Sequence, residues 1–94
     1  MNAESESEPL DTAHIDSREG FVQFLDKLHA DYQQNGKAWE NQTLGDFLEA
    51  LSRYAEDIGG YYSDLARSGG EGVNADSASW RVFADMLRGA VVYE

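Results

Sequence analysis

Residues 39–62, WENQTLGDFLEALSRYAEDIGGYY, decide the fold. Leu44, Phe47, Leu48, Leu51, Tyr54, Ala55 and Ile58 recur at three- and four-residue steps, which places them on one face of a 3.6-residue helical turn. Asp46, Glu49, Arg53, Glu56 and Asp57 fall mostly off that stripe, so the opposite face is solvated and mainly acidic. Thr43 is the expected N-cap, its hydroxyl accepting from the amide of Asp46. Gly59-Gly60 offers the left-handed conformation that closes many helices. The spacing predicts a helix over 44–58. Tyr61, Tyr62 and Leu65 stay roughly in phase, so a kink followed by a short helical piece near 60–67 stands beside a full stop.

Two further stripes flank this one. Asp16 or Ser17 opens the first, with Glu19 completing an acidic capping box. Phe21, Phe24, Leu25, Leu28 and Tyr32 follow at helical period, and Asn35-Gly36 reads as a stop, giving a helix over 17–34. The nine residues from Gln34 to Gln42 are a short connection, which favours an antiparallel pairing of the first two helices. Residues 68–75, SGGEGVNA, read as a mobile loop, after which Asp76 or Ser77 caps a third helix over 77–91. Trp80, Phe83, Ala84, Leu87, Ala90 and Val91 form its stripe. Gly89 either permits close packing or marks fraying. The expected fold is all-α, a small three-helix bundle over residues 17–94 behind a disordered acidic tail over 1–16.

Charge is distributed unevenly. Of the formal −11, residues 1–16 carry −5 with no Lys or Arg, and residues 17–94 carry 13 acidic against 7 basic groups. The SESE repeat and lone Pro9 fit a segment that cannot bury enough apolar area to offset its ordering. An acidic folded part argues against nucleic-acid binding and against docking on anionic lipid. The chain has no cysteine, hence neither disulfides nor thiolate chemistry. No leader-like or membrane-length apolar run is visible, so a cytoplasmic setting is expected.

Motifs for chemistry are scarce. Eighteen carboxylates make pairs commonplace, and nothing marks one for an apolar pocket. His14 and His29 lack metal-ligand spacing, and the GG and GEG of the loop lack the strand that precedes a phosphate cradle. No catalytic residue, metal or cofactor is expected. Trp39, Glu40 and Asn41 read as a structural turn, Trp39 closing the bundle end while Asn41 or Glu40 satisfies loop amides, with a recognition turn as the alternative. Trp80 reads as a second packing anchor.

The order FVQFLDKL, WENQTLGDFLEAL, GGYY and WRVFADMLRGAVVYE resembles a family of small uncharacterised bacterial proteins. The shared marks are the WEN turn, the T-L-x-x-F-L helix that follows, and a terminal W-x-x-F-A helix ending in Tyr-Glu. The resemblance covers residues 18–94 and implies a compact helical domain of unknown function from a bacterial source. It carries over no catalytic residue.

Two function classes follow. The first is a non-catalytic protein-binding module, immunity- or antitoxin-like by analogy of size and charge, that recognises a basic protein partner. Asp46, Glu49 and Glu56 would steer that partner, and Tyr61 and Tyr62 would anchor it. The second is a structural or self-associating accessory domain that forms a homo-oligomer through exposed aromatics.

Overall fold

The computed structural model describes residues 10–70 and 72–93. It contains α1 (Arg18–Asn35), a 3-10 turn (Gly36–Ala38), α2 (Leu44–Arg67) and α3 (Trp80–Val92), with no strand among the described residues. The fold is all-α. Residues 1–9, which make up most of the expected tail, lie outside the described residues.

Local capping sets each helix start. Ser17 Oγ accepts from Gly20 N, Thr43 Oγ1 accepts from Asp46 N at 3.1 Å, and Ser79 Oγ accepts from Val82 N. The third helix therefore begins three residues later than expected. Asn74 is the cause: its carbonyl accepts from Ser77 N and its side chain from Asp76 N, which commits both expected caps to a turn.

Gly59-Gly60 does not break α2, which runs on to Arg67. Ile58 and Tyr62, four residues apart across the glycines, are 1% and 3% exposed and share a cluster with Val82. Burying each of these side chains is worth about 1.5–3 kcal/mol, more than the roughly 1 kcal/mol each glycine costs a helix. The stop falls instead at Gly69-Gly70. Gly69 takes φ +90°, Gly70 N donates to Leu65 O, and Gly69 N donates to Ala66 O. These two bonds form a Schellman closure. Beyond it, Val73 and Ala75 of the loop pack against the Ile58–Tyr62–Val82 cluster.

α3 is the central element, packed on α1 along one side and α2 along the other. The close antiparallel packing expected of α1 on α2 is absent: their backbones stay apart across a groove, and Phe47 of α2 reaches the α1–α3 core. One face of α3 meets Phe24, Leu28 and Trp39 through Ala84 and Val91; the other meets Ile58 and Tyr62 through Val82. Gly89 lets the Tyr54 ring of α2 pack directly on the α3 backbone, since a Cβ there would overlap it. It marks packing, not fraying.

The boundary at residue 16 also needs correction. Leu10, Thr12 and Ile15 belong to the folded body, with Thr12 and Ile15 2% and 8% exposed. A turn closed by Ile15 N to Thr12 O lets the isoleucine enter the α1–α3 core while the threonine reaches α3. Polar composition hid two apolar residues with enough area to hold this strap. Deleting residues 1–16 should therefore cost about 1–2 kcal/mol after the strap's ordering entropy, lowering Tm by roughly 5–15 °C. Calorimetry of a chain beginning at Ser17 checks this, and an unchanged Tm would show that the strap adds no stability.

Candidate functional site

The WEN turn is built into the core. Trp39 is 9% exposed, its ring edge-on to Tyr32 at 5.1 Å and stacked on Phe47 at 6.0 Å. Its indole Nε1 donates to Asp31 Oδ2 at 2.7 Å. Asn41 donates through Nδ2 to the carbonyls of Ala90 and Tyr93, at 2.8 and 2.7 Å, and its backbone N donates to Val91 O. It thus satisfies the C-terminal carbonyls of α3, and not the loop amides expected for it. Glu40 is exposed. Trp80 is half-buried, tilted on Phe21 at 5.4 Å.

The acidic face of α2 is open to solvent. Asp46, Glu49 and Glu56 are all exposed, and Arg53 binds Glu49 at 2.9 Å. Asp57 accepts from the Tyr93 hydroxyl. The two tyrosines expected as a joint anchor separate. Tyr61 is 36% exposed, and its hydroxyl accepts from Arg88 at 3.3 Å. Tyr62 is buried, so it offers no ring to a partner; its place one helical turn after Ile58 directs it into the core.

Tyr62 belongs to a polar nexus absent from the sequence reading. Its hydroxyl donates to Asp85 Oδ2 at 2.5 Å, and the Thr12 hydroxyl donates to Asp85 Oδ1. Arg81 Nε and an Arg88 nitrogen stand 3.7 and 3.6 Å from the same carboxylate. Asp85 is 1% exposed, so the nexus is closed to solvent and joins the N-terminal strap, α2 and α3. A signal for it does exist: an acid inside the Val82–Met86–Gly89 stripe, with Arg four residues before and three after.

Burial pushes the Tyr62 phenol well above its ordinary value, and the bond to Asp85 adds to the shift. The unfolded phenol titrates near pH 10, whereas the folded one stays protonated to higher pH. The folded state therefore binds more protons above about pH 10, and stability falls there as pH rises. Burial raises the half-buried Tyr54 in the same direction. Urea midpoints measured upward from pH 9 should show a shallower alkaline loss in Tyr62→Phe than in the parent chain. Parallel alkaline limbs would contradict the assignment.

An apolar concavity lies elsewhere, between α1 and the start of α2. It holds about 400 Å³. Leu25, Leu28 and Tyr32 form one wall, Leu44 and Phe47 the other, with Trp39 between them and Thr43, Asn41 and His29 at its edges. Leu44 is 73% exposed and Leu48, one turn on, 52%. Among the described residues, no group of three or more His, Asp and Glu side chains is placed to hold a metal ion.

A family model described as a family of unknown function, DUF7660, matches residues 17–94. The chain belongs to this family. No curated protein and no solved structure matches it. The family match begins at the N-cap of α1, so the strap that supplies Thr12 and Ile15 precedes the DUF7660 segment. Every helix and the whole groove fall inside it.

Proposed function

We propose that this chain is a non-catalytic protein-binding module that takes a basic protein partner on the outer side of α2. The observation that carries this reading is the run of exposed Asp46, Glu49 and Glu56, whose sole neighbouring cation on that helix face, Arg53, is engaged with Glu49. A surface of this kind attracts a basic patch and raises its encounter rate. It also repels a second copy of the same face. The buried carboxylate of Asp85 is enclosed by Thr12, Tyr62 and two guanidinium groups, which suits a structural role. An immunity- or antitoxin-like role in a bacterial cytoplasm is the setting that this size and charge suit.

Affinity capture from the native cell, with low-salt and high-salt eluates identified separately, supplies the partner. With it in hand, Glu49→Lys/Glu56→Lys should slow association about tenfold at low ionic strength and flatten its salt dependence. A partner indifferent to both salt and charge reversal would sink the reading.

A further inference from the structure

We infer that the groove between α1 and α2 is a docking site for an amphipathic helix whose flanks are basic; the inference rests on the basic-partner reading and names the shape that partner presents. Leu25, Tyr32 and Leu44, which line the cleft, are 38%, 45% and 73% exposed, and Leu48, one helical turn after Leu44, is 52% exposed. Scattered apolar residues are ordinary on a protein surface, but grouped around a cavity they mark an interaction site. The separation of the α1 and α2 backbones is what opens it. Its floor is fixed by Trp39, which is bonded to Asp31, edge-on to Tyr32 and stacked on Phe47.

Length and charge select the occupant. Leu25 to Tyr32 spans seven residues of α1, about 10 Å at the helical rise. That is the span of anchors at i, i+3 or i+4, and i+7 on a docked helix. The groove has acidic borders. Going round α2 from Leu48, helical period brings Ser52 and then Glu56 and Glu49; going round α1 from Leu25, it brings Arg18, His29 and Val22 and then Asp26 and Glu19, so the borders are acidic on balance. All four acids are exposed. A second copy of this chain would bring like charge to both borders, so a basic-flanked helix fits where a copy does not.

The probe is a peptide of about 18 residues made of Leu and Lys, with Leu at helical i, i+3, i+4, i+7 spacing; its control has the same composition scrambled. The full chain is titrated and followed by amide and indole NH shifts. The Trp39 indole and the amides of Leu25, Tyr32 and Leu44 should move with saturation, while the Trp80 indole, outside the groove, should not. Leu25→Ser/Leu44→Ser, at exposed positions that leave the core intact, should weaken binding at least about tenfold. Glu49→Lys/Glu56→Lys should weaken it about tenfold at low salt and much less at high salt. Scrambled peptide binding equally well, or the serine variant binding unchanged while charge reversal releases the peptide, would overturn the groove and leave the acidic-surface reading standing. Binding that needs the leucines but ignores charge and salt would overturn the basic-partner reading itself. A dimer by sedimentation that Leu44→Ser dissolves would make the occupant a second copy and overturn the inference.

Discussion

Trp39→Ala is expected to lower stability by about 3–5 kcal/mol, the range for truncating a buried tryptophan by transfer and cavity terms together. For a domain of this size that is a fall in Tm of roughly 12 °C or more. Three losses coincide. The indole that fills the space between Tyr32 and Phe47 goes, its bond to Asp31 goes, and the cluster of Phe24, Leu28 and Val91 loses a wall. Trp39→Phe separates the contributions, because it keeps most of the ring and removes only the donor and the second ring. Since Asp31 is half-buried and can turn to water, that variant should lose about 1–2 kcal/mol. Urea denaturation of both variants is the measurement. A fully stable Trp39→Ala that had lost only its partner would refute the packing role and give the turn to recognition.

The contrast between Thr43 and Asn41 shows what sequence made legible. A cap acts within one helical turn, so Thr43 to Asp46 could be read from four consecutive residues, as could the three apolar stripes. Asn41 acts on carbonyls 49 and 52 residues away, and no local pattern fixes that partner. The same holds for the glycines. Gly59-Gly60 and Gly69-Gly70 carry the same local freedom, and the choice between them was made by Ile58 and Tyr62 meeting Val82 on another helix. The groove stayed hidden for a related reason. Periodicity placed Leu44 and Leu48 on the apolar face of α2, but their exposure follows from α3, not α1, being that helix's partner. Composition hid Thr12 and Ile15, because a strap needs only two well-placed residues in an otherwise polar segment.

Asp85→Ala should be comparably damaging, at about 3–5 kcal/mol, the range for breaking a buried charged network by removing one partner. The carboxylate takes hydroxyl donors from residues 73 and 23 positions away, so its loss strands both the Thr12 and Tyr62 hydroxyls and removes the charge facing Arg81 and Arg88. Asp85→Asn preserves shape and one acceptor, and should lose less, about 1–3 kcal/mol. Combining Asp85→Leu with Thr12→Val and Tyr62→Phe should recover part of the Ala loss, since both hydroxyls are removed with their acceptor, while Arg81 and Arg88 still lose the charge they face. Net charge provides the control. The chain carries a formal −11, and deleting one acid from it should by self-repulsion alone stabilise the fold. A stabilised or unchanged Asp85→Ala in urea would thus mean that long-range repulsion outweighs the nexus. A loss of several kcal/mol, shared non-additively with Thr12→Val, would mean that this single buried carboxylate ties the strap, α2 and α3 into one cooperative unit.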